Sequence, residues 1–456
     1  MYKEVQTGAK IQLGGLKLGF IKVGYQVVIE ARVTIPETYP TTKQITTTIA
    51  IRETLFILLF LFRIKFTQNF QFYSQNKLKT NSAKKVSLLK FSFMVTANDF
   101  IPSPYTNSIE QGVFQWSAPS NIALVKYWGK KENQVPANPS VSFTLNNCKT
   151  ITQLAFAKKQ NADQSNFSFD LLFEGKPKED FKPKIQKFLE RIEPYLPFLK
   201  DYHFTIDTRN TFPHSSGIAS SASGMAALAM NLMSLEKELN PAMTEDYFYQ
   251  KASFLARLGS GSACRSVKGQ VVVWGNQANI PESSDLFGVQ FPHTIHDNFK
   301  NYQDTILLVD KGEKQVSSTV GHDLMHNHPF AERRFAQAHE NLDQLISIFE
   351  SGNLEQFIAV VESEALTLHA MMMTSTPYFI LMKPNTLEII NRIWQFRNET
   401  KIPVCFTLDA GANVHLLYPN QVKEKVLQFI QDELVGYCQN GQYICDEIGI
   451  GSQLID

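Results

Sequence analysis

The chain has 456 residues and a net charge of +1, from 44 basic and 43 acidic side chains, and 43% of its residues are apolar. The balance is a cancellation: residues 1–93 hold 14 Lys or Arg against 4 Glu and no Asp, whereas residues 94–456 hold 30 basic against 39 acidic. Mild acidity in the longer part argues against a nucleic-acid-binding face, and five cysteines with no CxxC pair argue against a disulfide framework and for reduced thiols in the cytoplasm.

Residues 1–93 stand apart. From Thr54 to Asn98 there is no acidic residue, and the apolar run 55–62 is eight residues long, too short for a bilayer span of about 20. No membrane association is expected. Met94 precedes the first ordinary domain sequence, so 1–93 reads as an extension outside the catalytic body, with Met94 as the natural start. The remaining 363 residues suffice for two domains with substantial cores.

In chain order, strands are expected at 114–118 and 140–145 around a turn-rich segment. A hairpin or meander of 151–157 with 165–173 follows, then a helix at 183–195. The segment 203–208 alternates Phe204 and Ile206 with polar residues, the period of a half-buried strand. It leads into Phe212-Pro-His-Ser-Ser-Gly-Ile-Ala-Ser-Ser-Ala-Ser-Gly-Met225, where Gly217, Gly224 and five serines precede a helix marked by Met225, Leu228, Ala229, Leu232 and Met233. Small residues let a ligand approach the backbone, and the N–H groups and dipole of the helix start favour an anion. The stretch therefore reads as a phosphate cradle, although a Ser-capped helix after a turn has the same local pattern. A second helix, 244–258, opens on Thr244 as N-cap with Glu245 and Asp246 in its first turn. A strand at 269–274 and a loop at 275–301 close the first block.

The second block begins with a strand at 305–309 and continues with helices near 331–349, 354–373 and 386–398. Strands at 404–408 and 414–418, a helix at 421–435 and a last strand near 443–448 complete it. Strands and helices mix without regular βαβ alternation, which indicates α+β rather than a doubly wound sheet.

Three further segments carry chemistry. Ser117-Ala-Pro-Ser-Asn-Ile-Ala-Leu-Val-Lys-Tyr-Trp-Gly-Lys-Lys131 offers amide, ammonium and phenol donors at Asn121, Lys126, Tyr127 and Lys130, a set suited to an anion bearing phosphate and carboxylate. Gly259-Ser-Gly-Ser-Ala-Cys-Arg-Ser266 follows a helix directly, and its Arg265 can fork onto a carboxylate or phosphate. In Thr407-Leu-Asp-Ala-Gly-Ala-Asn413 a carboxylate, Asp409, sits at a strand end where it can enter a cleft. Taken singly, these segments also admit a solvated surface strand, a structural turn and an Asx-turn. His322-x3-His326-x-His328 has ligand-like spacing, but Pro329 follows and no nearby Cys or Glu completes a set.

Together the four segments resemble the diphosphomevalonate decarboxylases, ATP-dependent members of the superfamily of small-molecule kinases that includes galactokinase, homoserine kinase and mevalonate kinase. The resemblance rests on Ala118-Pro-Ser-Asn-Ile-Ala-Leu-Val-Lys-Tyr-Trp-Gly-Lys130, on 212–224, on 259–266 and on 409–413; it runs in order over about 114–456 and leaves 1–93 uncovered. It implies a two-domain α+β kinase-superfamily fold whose cleft lies between an N-terminal ATP-binding domain, 94–301, and a C-terminal ferredoxin-like domain, 302–456. It also implies the reaction: ATP with Mg2+ phosphorylates the tertiary C3 hydroxyl of mevalonate 5-diphosphate, and phosphate then leaves as CO2 is lost, giving isopentenyl diphosphate. A cytoplasmic homodimer follows from the same resemblance. A related mevalonate or phosphomevalonate kinase or decarboxylase, acting on another phosphorylation state, is the alternative.

By the same resemblance, Asp409 matches the catalytic aspartate, and Asn121 and Arg265 hold the substrate carboxylate. Lys126 and Tyr127 lie near the anionic groups, with Lys126 close to the reacting centre. Ser260, Ser262 and Ser318 bind substrate. Ser216, Gly217, Ala219, Ser220 and Ser221 form the ATP-phosphate loop, and Ser221 is the candidate for Mg2+. Two departures affect loop rigidity: His214-Ser-Ser stands where Thr-Ala-Ala is common, and Ala412 where proline is usual.

Overall fold

A computed structural model describes residues 95–160, 166–213, 218–311 and 318–455, together with the backbone of five strands before residue 91. Ser216, Gly217 and the side chain of Ser318 lie outside the described residues, as does most of 1–93, including the apolar run 55–62. Two compact units divide the chain, Met1–Asp99 and Phe100–Asp456.

The first unit contains an antiparallel sheet of β1 (Ile11–Leu13), β2 (Leu16–Val23), β3 (Gln26–Thr34), β4 (Tyr73–Ser74) and β5 (Val86–Lys90), in the order β1-β2-β3-β5-β4. Sequence reading assigned no elements there. The signal was the alternation of Leu16, Leu18 and Phe20, answered by Val27, Ile29, Ala31 and Val33.

In the second unit the larger sheet is built on two long antiparallel strands, β6 (Gln111–Val125) and β7 (Ser140–Lys158). Sequence reading broke these into 114–118, 140–145 and 151–157. Pro119 cannot donate to a ladder, but the pairing shifts register between Pro119 and Asn121 and so accommodates it. Next come β8 (Ser168–Phe173), β9 (Lys176–Pro177), β10 (Tyr202–Asn210), β11 (Val271–Trp274) and β12 (Val289–Gln290). The expected hairpin of 151–157 with 165–173 does not form. Instead β10 lies between β7 and β8, antiparallel to one and parallel to the other, and the helix α1 (Lys182–Ile192) lies in the crossover from β8 to β10.

Against this sheet packs α2 (Ser220–Leu239), and α3 (Glu245–Gly259) packs on α2. Fifteen of the twenty residues of α2 are buried, which is why its sequence is apolar nearly all round. Thr244 caps α3 as expected, its hydroxyl accepting from the Tyr247 N–H at 3.3 Å.

The smaller sheet is antiparallel, with β13 (Gln303–Leu307), β14 (Cys405–Leu408), β15 (Val414–Tyr418) and β16 (Tyr443–Glu447) in the order β14-β15-β13-β16. Its helices are α4 (Ser318–Asp323), α5 (Ala331–Ser351), α6 (Leu354–Met373), α7 (Pro384–Thr400) and α8 (Lys423–Phe429). Finally β17 (Gln453–Leu454) returns to pair with β6. The two sheets share one apolar core, in which Phe143 of β7 contacts Tyr302, Phe349 and Phe357. The Asp446 carboxylate clasps them as well, accepting from the N–H groups of Asn146, Asn147 and Cys148 at 2.7–2.9 Å. The architecture is α+β, as the sequence indicated. Among the described residues no helix is long and apolar enough to cross a membrane.

Candidate active site

The site forms where β6 runs out. Beyond Val125 the chain leaves its ladder, and Lys126 is buried there at 2% exposure with its ammonium 3.2 Å from Asp409 Oδ1. Burial pulls the Lys126 pKa down; the Asp409 carboxylate, and more weakly Glu364, oppose that shift. Asp409 itself sits just past the end of β14, with 29% of its side chain exposed. Its carbonyl accepts a bond of 3.1 Å from His369 Nε2–H of α6. His369 is buried, which holds its pKa down at about 4, so near neutrality it is uncharged.

Lys126 is held by its backbone as well. Its N–H donates to Glu364 Oε2 at 2.9 Å, and its carbonyl accepts from Arg334 at 3.1 Å and from Asn138 Nδ2 at 2.9 Å. Arg334 and Glu364 pair with each other at 2.6 Å, both fully buried.

On the other side stands Arg265, 3% exposed, in the 3-10 turn Gly261–Ser266 that follows α3. Its guanidinium donates to Ser140 Oγ and to Asn121 Oδ1 and lies 5.7 Å from the ring of Trp274. Among the described residues it has no carboxylate at ion-pair distance. Asn121 is fixed in turn by donating to Ser266 Oγ at 2.8 Å and to the Ser262 carbonyl at 3.2 Å. A buried cation held by neutral oxygens suits an anion, since Asp409 acts on Arg265 only from beyond ion-pair distance. Tyr127 completes this wall. Its ring packs between Trp274 and His322, and a Cβ on Gly261 would come within 3.0 Å of its hydroxyl oxygen, so glycine is required there.

Ser220 and Ser221 open α2, after Ala219 in the left-handed region at φ 37°, ψ 38°. Ser221 Oγ is 3.4 Å from Ser260 Oγ, which brings the helix start alongside the Arg265 turn. A cavity of about 250 Å³ adjoins it, with Thr150, Thr208, Asn210, Ser220 and Ser221 on its polar side and Phe173, Phe181 and Leu228 on its apolar side.

The structure thus gathers Asn121, Lys126, Tyr127, Ser260, Ser262, Arg265 and Asp409 from two sheets, with Ser220 and Ser221 adjoining through Ser260. Lys130 points instead to Asp323 at 3.4 Å. Trp128 is a packing residue, 4% exposed against Met325, Leu368, Met371 and Met372. The histidine cluster disperses: His322 accepts from the Gly129 N–H, and His328 donates to the Met371 carbonyl. Among the described residues no group of three His, Cys, Asp or Glu side chains is arranged to hold a metal ion. Sequence reading missed Asn138, Arg334, Glu364 and His369. The available signal was a charge on an apolar helix stripe, as with Arg334 among Ala331, Ala338, Leu342 and Leu345.

Comparison with known proteins identifies the family. The family model of the diphosphomevalonate decarboxylase-like N-terminal domain matches residues 118–285, and that of the mevalonate 5-diphosphate decarboxylase C-terminal domain matches residues 305–448. The diphosphomevalonate decarboxylase of Eremothecium gossypii is 30% identical over 333 residues, covering 69% of this chain and 79% of its own. The chain belongs to the diphosphomevalonate decarboxylase family. Among solved structures, that of MDDEF in complex with MVAPP, AMPPCP and magnesium is 27% identical, with a TM-score of 0.64 over 76% of this chain and 99% of its own. The mevalonate diphosphate decarboxylase of Staphylococcus aureus is 26% identical, also with a TM-score of 0.64, over 76% of this chain and 98% of its own. The fold is accordingly the two-domain fold of these decarboxylases.

Proposed function

We propose that the chain catalyses the ATP-dependent decarboxylation of mevalonate 5-diphosphate to isopentenyl diphosphate, ADP, phosphate and CO2. The supporting observation is one arrangement: a buried ammonium pairs with the carboxylate of Asp409, just past β14, and that carboxylate also acts on the buried guanidinium of Arg265.

A tertiary alcohol is a poor nucleophile and needs a carboxylate to orient it and accept its proton. Asp409 takes that role, and Lys126 fixes the carboxylate by pairing with its Oδ1. Arg265, set by Asn121 and Ser140, receives the substrate carboxylate and holds its C–C bond in line for loss of CO2. As phosphate leaves, positive charge develops at C3, and the Asp409 carboxylate is placed to stabilise it. Tyr127, Ser260, Ser262 and Ser318 are assigned to the rest of the substrate.

The start of α2, with its hydroxyls and N–H groups, suits the ATP phosphates, and the adjoining cavity suits the nucleoside. Ser216, Gly217 and Ala219, which precede it in the sequence, are assigned to the same phosphates. Mg2+ neutralises phosphate charge when bound; a hydroxyl such as that of Ser221 fits an ion that keeps its waters and binds mainly through phosphates. The reading extends to a homodimer in the cytoplasm and to domains divided near 301, with 1–93 outside the catalytic body. Assay of the full chain with mevalonate 5-phosphate and 5-diphosphate in parallel tests it: CO2 release is expected with the diphosphate, and release only from the monophosphate would favour the related activity.

A further inference from the structure

Lys126 occupies a position where an ordinary strand would no longer control it. The β6 ladder ends at Val125, with a register shift between Ala123 and Val125, so the buried N–H and carbonyl of Lys126 need partners from elsewhere. Besides Asn138, which also donates to the carbonyl, the partners come from helices of the smaller-sheet half. Glu364 of α6 takes the N–H, Arg334 of α5 binds the carbonyl, and the two charged groups meet at 2.6 Å. Asn341 of α5 donates a further bond to Glu364 Oε1.

We propose that the Arg334–Glu364 pair is a positioning device, gripping the Lys126 backbone from both sides and thereby setting its ammonium against Asp409. This rests on the assignment of Lys126 and Asp409 to the reaction. A buried ion pair is weak as a stabiliser, since well-packed apolar residues do as well. This one is not optimised even as a bridge: Arg334 Nε–H has no hydrogen-bond partner among the described residues. What apolar replacements cannot supply is a donor and an acceptor for a lysine backbone at a strand end. The pair also leaves the neighbourhood of Lys126 electrically balanced. Facing that ammonium are Asp409 beyond β14, Glu364 and His369 on α6, Arg265 in its turn and His415 on β15, while Arg334 on α5 reaches the Lys126 carbonyl. Removing Glu364's charge leaves Arg334 uncompensated beside Lys126, and removing Arg334's charge does the reverse.

The test uses the full chain with lysine labelled at Cε, the Lys126 resonance being assigned as the one absent from Lys126→Met. Glu364→Gln should move the Lys126 titration midpoint to lower pH and Arg334→Gln to higher pH, opposite shifts that a purely structural role would not produce. Both should lower kcat by about 10²-fold, as small misplacements of catalytic groups do, with KM for ATP within a few-fold. Shifts of the same sign, or none, overturn the proposal. Should a neutral variant fail to fold, Arg334→Lys keeps the charge but cannot span Glu364 and the Lys126 carbonyl together, so it must still displace the Lys126 resonance; an unchanged resonance overturns the proposal equally. A wild-type chain that releases no CO2 from mevalonate 5-diphosphate would instead contradict the proposed function, and the resonance shifts would still decide the positioning role.

Discussion

Lys126 and Asp409 each determine what the other can do. A buried ammonium loses hydration, and the carboxylate 3.2 Å away is the largest influence keeping it charged. That carboxylate is in turn held by an ammonium on a strand end that two helices secure. Asp409→Asn preserves shape and removes the charge, so the C3 hydroxyl loses its orienting base and the developing cation its stabiliser. We expect kcat to fall by about 10²–10⁴-fold, while affinities for ATP and mevalonate 5-diphosphate stay within a few-fold of wild type, because uniform binding does not depend on this group. Steady-state kinetics with equilibrium binding checks this; near-normal kcat would remove Asp409 from the chemistry.

Among the elements, α4 shows how a short helix is docked by polar contacts. Its His322 accepts the Gly129 N–H at 3.0 Å and packs at a tilt against Tyr127 and Trp128, its Asp323 pairs with Lys130, and a Cβ on Gly321 would clash with Trp128. Accepting that bond requires Nδ1 to be unprotonated. Burial, helped by Lys130 and Arg265, lowers the His322 pKa from 6.5 to about 3. Between those values the unfolded chain binds a proton that the folded chain does not, so stability rises with pH, by at most about 1.4 kcal/mol per pH unit for one proton. The contribution is complete above 6.5 and is lost as pH falls toward 3. Denaturant melts over that window should show a shallower slope for His322→Gln than for wild type; an unchanged slope would mean that His322 titrates normally. Elements of this kind also mark the limit of what the sequence disclosed. The Val414–Tyr418 strand and the Leu354–Met373 helix were legible from periodicity to the residue, and Thr244 from its cap chemistry. The partners of Lys126 were not, because Glu364 and Arg334 lie 238 and 208 residues away from it, and no local pattern reports a contact made only by the fold. The position of β10 between β7 and β8 escaped for the same reason: short alternating runs specify strands but not their neighbours.

For the molecule as a whole, two sheets contribute one face each, and the Asp446 clasp and the shared aromatic core keep them in register. The segments that bear chemistry, at Asn121–Tyr127, Ser220–Ser221, Ser260–Arg265 and Asp409, all belong to Phe100–Asp456. The family models match within that same portion. We therefore expect a chain beginning at Met94 to fold and to keep its activity, as measured by soluble yield and turnover; loss of most activity would give 1–93 a catalytic role. The most direct measurement on the whole enzyme is single-turnover product analysis with mevalonate 5-diphosphate labelled in its carboxylate. One CO2, one phosphate and one ADP should appear per isopentenyl diphosphate formed, whereas a stable phosphorylated product with the label retained would contradict decarboxylation and leave a kinase.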